Sequence, residues 1–343
     1  MNRRPVKRVL VLYFLILFFK KVYSKIRRNI NDFLNSNNMR YYYFNPISKQ
    51  YYFPEGYDQY PIFAKFYQPY KVSATLIWKI WQSSSVFRKL FSTKRPENFL
   101  PFEQLKQYVT PCSILTFNMG TNGVEKKISI LGVERSTDTA FYIKYATSVL
   151  ACRNVFNEGN VLEQLSHLSF VPQLQFCIHE ESRFTLIKTT VLNGEKIKYY
   201  PIDEKILSIL FTLSSQRIKS IREYQSDLMC CFAHGDFCPW NMLMNNGNIE
   251  LYDWEMAGQY PLGYDLFTYI YQFEFLVTET MKFELIIENS HTVISQYFIH
   301  FGIVDWMPYL KDFSNLKLKL EEEKNNDELI KPYSQLKEYV SNF

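Results

Sequence analysis

A carboxylate, an amide and a second carboxylate stand at Asp236, Asn241 and Asp253, in the runs His-Gly-Asp-Phe-Cys-Pro-Trp-Asn and Tyr-Asp-Trp-Glu. Together these groups can serve phosphoryl transfer from a nucleotide, which needs one carboxylate to orient an attacking hydroxyl. It also needs an amide oxygen and a second carboxylate to hold Mg²⁺ against the phosphates. Asp236 is placed to accept the hydroxyl's hydrogen bond and, late in transfer, its proton. Such transfer asks for positioning more than for a strong base. Asn241 offers a neutral metal ligand and Asp253 an anionic one. His234 can hydrogen-bond backbone near the metal-binding element and hold its shape. Glu255, two residues past Asp253, has three readings: aid to a second metal, support for loop backbone, or an ordinary solvated side chain. Pro239 stiffens the loop through its fixed φ, while Cys238 and Trp240 read as packing residues.

H-G-D-x-x-x-x-N followed by D-x-E resembles the catalytic and metal-binding elements of the aminoglycoside phosphotransferase and choline kinase families, which share the protein-kinase-like fold. The resemblance implies an α+β, two-lobed architecture: a small antiparallel-sheet lobe that binds ATP, then a mostly helical lobe for catalysis and acceptor binding. It spans roughly residues 110–300.

The upstream parts follow in the implied order. Ser113–Gly123 is an apolar strand opening into a glycine turn, with Gly120 and Gly123 expected over the phosphates, although the full G-x-G-x-x-G is not present. Lys127–Val133 and Thr139–Ala146 alternate as strands. Lys144, in Phe-Tyr-Ile-Lys-Tyr, would face solvent on local chemistry alone; the resemblance makes it the lysine of the α and β phosphates. Asn154–Leu168 has helical periodicity, and Glu158 on it is the expected partner of Lys144, with Glu163 the rival. Phe184–Thr190 is a strand leading to the interlobe hinge, where backbone around residues 188–191 would meet the adenine.

Pro201–Tyr224 reads as one long amphipathic helix before the catalytic loop. Asp265, in Gly-Tyr-Asp-Leu, matches an acidic residue with which the resembled family braces that loop. Tyr264–Phe301 reads as helix forming the acceptor pocket; its acids Glu274, Glu279, Glu284 and Glu288 show no convergent cluster. Leu316–Tyr339 reads as a charged, solvated helix.

Composition fits these parts. The chain has 343 residues, 47% hydrophobic and 21% charged, which suits a globular two-lobed domain with an extension. Six cysteines form no C-x-x-C pair and read as free thiols of a reducing compartment. Net charge is +5, yet residues 1–28 hold nine Lys or Arg and no acid. The basic excess is therefore one terminal segment, and no nucleic-acid partner is expected.

Val9–Phe19 is apolar with basic flanks. It is too short for a spanning helix, which needs about 20 residues, and it has no small-residue cleavage site after it. Together with the apolar and basic residues beyond it, it suits an interfacial helix on anionic lipid, or a helix packed on the domain. The expected organisation is residues 1–34 as this basic amphipathic helix and 35–102 as an aromatic-rich extension and linker, with the linker at 92–102. The ATP-binding lobe follows at 103–192 and the catalytic and acceptor lobe at 193–343. Tyr41–Tyr70, dense in Tyr, Phe and Pro, should form short strands and turns whose rings stack on sugar, line a membrane or pack the lobe. Leu76–Phe91 reads as one amphipathic helix.

These readings converge on a cytoplasmic, ATP- and Mg²⁺-dependent kinase acting on a small-molecule hydroxyl, in particular that of a sugar or lipid-linked saccharide, peripheral on the inner membrane face. Choline or another amino alcohol, an aminoglycoside, a nucleotide-binding scaffold without turnover, and a membrane-associated structural protein are the alternatives.

Overall fold

A computed structural model describes residues 40–44, 51–67, 72–96, 105–111, 113–120, 123–197 and 201–343. The expectations for residues 1–34, for Asn35–Asn38 and for Cys112 lie outside them. The chain divides into two compact units between Lys144 and Tyr145. The first is mainly strand and the second mainly helix, the α+β character expected of a two-lobed kinase-like fold.

The first unit is an antiparallel sheet flanked by helices. Its strands are β1 (Arg40–Phe44), β2 (Tyr51–Pro54), β3 (Ser92–Pro96), β4 (Ser113–Asn118), β5 (Lys127–Glu134) and β6 (Thr139–Ala146), in the order β3-β1-β2-β4-β5-β6. The aromatic segment therefore extends the sheet through Tyr52↔Phe117 pairing rather than standing apart from it. Ser92–Pro96, expected as linker, pairs with β1 along its whole length. The Leu76–Phe91 helix is two, α1 (Val72–Ser83) and α2 (Ser85–Phe91). Ser84 interrupts them, its hydroxyl accepting from Phe87 N at 3.1 Å. The ring of Phe53 lies 5.2 Å from those of Tyr57, Trp78 and Trp81, and Arg88 closes the cluster over Tyr57 while pairing with Asp58 at 3.0 Å. These aromatics are a core of their own, which answers the choice between ligand platform and packing for this group.

In the second unit α3 (Val149–Gln164) begins at Ser148, whose hydroxyl caps Ala151 N. The helix thus starts five residues before the apolar repeat suggested. Its Gly159 lies on the hairpin of β7 (Leu174–Glu180) and β8 (Phe184–Thr190), where a Cβ would stand 2.8 Å from Cys177 Sγ. Next, α4 (Glu204–Ser214) buries Ile206, Ile209, Leu210 and Leu213 at helical spacing.

The expected helix to Tyr224 stops at Ser214 because α3 captures the following backbone. Asn160 Nδ2 and Gln164 Nε2 each donate to Lys219 O at 2.8 Å, Lys219 N donates to Gln164 Oε1 at 3.0 Å, and Ser220 Oγ donates to Asn157 Oδ1 at 2.9 Å. Ile218 and Ile221 are anchors of a loop rather than a helical stripe.

Three short strand pairings precede the C-terminal helices: β10 (Cys230–Ala233) with β13 (Gly258–Pro261), and β11 (Met242–Asn245) with both β12 (Asn248–Leu251) and β9 (Glu195–Lys196). The expected Tyr264–Phe301 helix is α5 (Tyr264–Phe273), a π-turn over Glu274–Thr278, and α6 (Phe283–His300). The break falls at Glu279, whose φ of 53° is left-handed. Last come α7 (Met307–Glu323) and α8 (Asp327–Val340), where one solvated helix was expected. They bury Lys317, Leu318, Leu320, Glu321, Leu329, Tyr333 and Leu336, so the charged run is packed in the core.

Asp203 closes the N-terminus of α4 by accepting from Lys205 N and Ile206 N at 3.0 and 3.1 Å. Asp203→Ala should cost about 1 kcal/mol in urea unfolding and Asp203→Asn only a few tenths, since asparagine caps as well as aspartate.

Candidate active site

Two strand pairings assemble the site. The β10–β13 pair sets Ala233 opposite Gly258, so the chain entering His234 runs beside the chain leaving Glu255. The β11–β12 hairpin turns at Asn246-Gly247, both with positive φ (49° and 81°), and pairs Met242 with Leu251. That returns Asp253 to Asn241, and Tyr252 N donates to Asn241 O at 3.1 Å. The spacing between amide and second carboxylate is therefore the length of one tight hairpin.

Gly235 has φ +82°, and a Cβ there would lie 2.1 Å from Met256 O. Only glycine fits between the two passes of chain. His234, fully buried, accepts from Asp236 N through Nδ1 at 3.3 Å, and its Nε2 lies 3.1 Å from Tyr252 O. One ring nitrogen accepts and the other donates, which is the neutral imidazole bridging catalytic and metal-binding backbone. Asn241 Nδ2 donates to Asp236 O and to Asp236 Oδ2, both at 2.8 Å. The amide nitrogen is thereby committed to fixing Asp236, and the amide oxygen is the atom suited to a metal.

On the metal side, Asp253 sits in the left-handed region at φ 69°, ψ 59°. Such conformations concentrate at functional sites. Glu158, Asp253 and Glu255 each place a carboxylate oxygen within 4.8 Å of the others. These donors are hard oxygens, the kind that Mg²⁺ takes. Of the three readings of Glu255, this clustering supports the metal-side one.

The loop is held by contacts that the spacing of motifs did not reveal. Asn157 Nδ2 donates to Ala257 O at 2.8 Å and Glu255 O at 3.2 Å. Arg222 Nε donates to Glu255 O at 3.1 Å, while its Nη2 donates to Asn154 Oδ1 at 2.6 Å. Asn154, Asn157 and Glu158 are a buried polar stripe on the otherwise apolar buried face of α3, and that pattern was the available signal.

Asp265 accepts from His234 N at 2.6 Å and Gly235 N at 2.9 Å, one bond per carboxylate oxygen. Burial pushes its carboxyl up to about 7, with Asp236 adding to the rise and the two N–H bonds and Lys317 opposing it. Gln272, two turns further along α5, donates through Nε2 toward Asp236 Oδ1 at 3.5 Å, and was not foreseen. Cys238 Sγ lies 3.8 Å from the same oxygen, but burial drives this thiol well above its usual range, so it packs and does not attack. The five cysteines among the described residues are free thiols.

The remaining expected residues lie as follows. Lys144 is buried on β6, against the local expectation of a solvent-facing lysine. Gly120, at φ +70°, ends β4 where a Cβ would meet Lys127 O at 2.2 Å, and Gly123 follows at φ +157°. Glu158 is buried and its rival Glu163 is exposed, which favours the first choice. Trp240 is half-buried beside the loop.

An antiparallel-sheet unit followed along the chain by a helical unit that carries this carboxylate–amide–carboxylate loop has the α+β make-up of the kinase-like fold. Residues 211–281, which contain the loop, Asp253 and Asp265, match the model of the family described as "Phosphotransferase enzyme family". Among solved structures, the chain is similar to amicoumacin kinase hAmiN in complex with AMP-PNP, Ca²⁺ and Ami, at 13% identity and a TM-score of 0.45, covering 66% of this chain and 88% of that one. It is also similar to a thermostable mutant of aminoglycoside phosphotransferase APH(4)-Ia (10% identity, TM-score 0.47, 70% and 97% covered). A third is a choline/ethanolamine kinase family protein from Mesorhizobium loti (10%, 0.43, 70% and 90%). No curated protein matches.

Asp265 gives the fold a signed pH dependence. Its carboxyl titrates near 3.8 when unfolded and at about 7 when folded. Stability should therefore decline as pH rises from about 4 to about 7, by at most about 1.4 kcal/mol per pH unit. Urea titrations across that range should show this slope, and Asp265→Asn should flatten it.

Proposed function

We propose that this protein transfers the γ-phosphoryl group of ATP to a hydroxyl of a small molecule, a sugar or lipid-linked saccharide. The observation that carries the reading is the fixed carboxylate of Asp236. Asn241 Nδ2 donates to its Oδ2 at 2.8 Å and Gln272 Nε2 donates toward its Oδ1 at 3.5 Å, which leaves the amide oxygen of Asn241 as the atom suited to a metal.

Asp236 accepts the acceptor's O–H hydrogen bond and aims the oxygen along the line of displacement. As the new O–P bond forms and the bond to the β–γ bridging oxygen breaks, the hydroxyl proton passes to Asp236 and ADP is released. Asn241 and Asp253, with Glu158 and Glu255 beside Asp253, would hold Mg²⁺, which neutralises charge on the phosphates. The resemblance assigns Gly120, Gly123 and Lys144 to the nucleotide, and pairs Glu158 with Lys144. Asp265 and His234 keep the loop in shape.

The acceptor reading draws on α5. Next to Gln272, whose Oε1 is without a hydrogen-bond partner among the described residues, Thr268 Oγ1 is buried and equally unpartnered. Neutral donors and acceptors suit hydroxyls. A cationic acceptor such as choline or an aminoglycoside would call for converging carboxylates, whereas Glu279, Glu284 and Glu288 are exposed. No helix among the described residues is long and apolar enough to cross a membrane. The basic, apolar residues 1–34 support a peripheral, cytoplasmic-face position on anionic lipid.

The test is transfer of labelled γ-phosphate from Mg·ATP into separate soluble and lipid extracts. Asp236→Asn should cut labelling by about 10²–10⁴-fold while Mg·ATP binding persists. ATP binding by wild type with no label in any fraction would instead support a scaffold without turnover.

A further inference from the structure

The basic excess of this chain runs well past residues 1–28. Residues 29–96 add nine more Lys or Arg against three acids, Asp32, Glu55 and Asp58. The first 96 residues thus hold eighteen Lys or Arg against three acids, a net charge of +15, which leaves −10 for residues 97–343. From Gln59 to Pro96 there are seven Lys or Arg and no acid. Of these, Arg88 is committed inward, to Asp58 and the ring of Tyr57. A division of sign on this scale makes the first part of the chain attractive to an anionic surface and the rest not.

Within this basic stretch α1 has two sides. Trp78 and Trp81 pack on Phe53 in the aromatic core and are buried. Ser73, Leu76, Lys79, Ile80 and Ser83 are all exposed. At about 3.6 residues per turn these five fall within about 120° of the helix surface, opposite the tryptophans. Leu76 is 59% exposed and Ile80 41%. The exposed run continues on α2 with Ser85 and with Val86, which is 65% exposed. Exposed aliphatics scattered singly need no explanation. Here two share one helix turn beside a lysine, a third follows six residues later, and the segment has no carboxylate.

We propose that the exposed side of α1, with Val86 of α2, docks on the headgroup region of an anionic bilayer. The proposal rests on the peripheral reading above and adds to residues 1–34 a second contact, built into the folded sheet unit. Leu76 and Ile80 enter below the headgroups while the stem of Lys79 carries its ammonium to their level. The aliphatics favour lipid over nucleic acid. A strand of nucleic acid is held by charge and by rings on which its bases stack, and the tryptophans of α1 are turned into the core.

The experiment is co-sedimentation of the full chain with vesicles of phosphatidylcholine and phosphatidylglycerol in a three-to-one ratio, with phosphatidylcholine alone as the reference. Neither nucleotide nor acceptor is present, so the kinase reading is not at stake. Wild type should bind the mixed vesicles, and less so as salt rises from about 0.1 M to about 1 M, where the screening length falls from about 10 Å to about 3 Å. Leu76→Gln/Ile80→Gln should weaken partition by about tenfold or more, and Lys79→Gln by about fivefold. Glutamine suits an exposed helix position, so the urea midpoints of both variants should match wild type. In wild type itself, the mixed vesicles should slow acylation of Lys79 by an amine-reactive reagent, read by mass spectrometry. Vesicle binding that both variants retain in full, with Lys79 acylated as fast as without vesicles, would overturn the α1 surface and leave the peripheral reading standing. No binding by wild type would overturn both. Loss of binding in Lys79→Gln with none in Leu76→Gln/Ile80→Gln, together with equal binding to duplex DNA, would mark a general polyanion surface and overturn the lipid assignment.

Discussion

Everything in the site depends on two backbone N–H groups finding one carboxylate. Asp265 takes the amides of His234 and Gly235 on its two oxygens, and by doing so fixes the chain direction just before Asp236. A loop at this depth would otherwise leave two buried donors unsatisfied, at a cost of about 1–3 kcal/mol each. The bond pair also explains Gly235. With the amides pulled toward α5, the opposite side of that residue closes on Met256 O and leaves no room for a Cβ. From there the imidazole of His234 carries the constraint across to Tyr252 O, and the strand pair β10–β13 keeps both passes of chain in register.

The candidate groups could be picked out because phosphoryl transfer asks for particular groups in a particular order along the chain. Asp236, Asn241 and Asp253 could be read from type and spacing, and the hairpin explains the spacing: Asn246-Gly247 makes the turn that returns the chain. Strands whose apolar residues alternate, such as Lys127–Glu134 and Thr139–Ala146, were equally readable.

What escaped was polar burial and helix breaks. The long stretch after Pro201 has helical periodicity throughout, yet Asn157, Asn160 and Gln164 draw its second half into a loop, a tertiary effect that no local propensity encodes. Leu316–Tyr339 reads as solvated because its charges are counted one by one. In the fold Lys317 and Glu321 neutralise one another inside the core, and the apolar positions of two helices, not one, face inward. Gln272 escaped for a related reason: one glutamine in an aromatic helix has no motif, and its meaning comes from the Asp236 carboxylate that it faces.

The carboxylates near the loop fall into two groups that meet the same electrostatic difficulty in different ways. Asp265 gives its two oxygens to the amides of His234 and Gly235, and burial raises its carboxyl to about 7. Glu158, Asp253 and Glu255 crowd within 4.8 Å on the other side of the loop, where Asp253 is held in a left-handed conformation that spends conformational energy to keep it there. Like charges at that range repel, and Lys196 is a cation near them, its ammonium lowered by burial with the charge of Asp253 opposing that fall. The brace commits both of its oxygens to backbone amides, whereas the cluster presents hard oxygens at a spacing that a divalent ion fits.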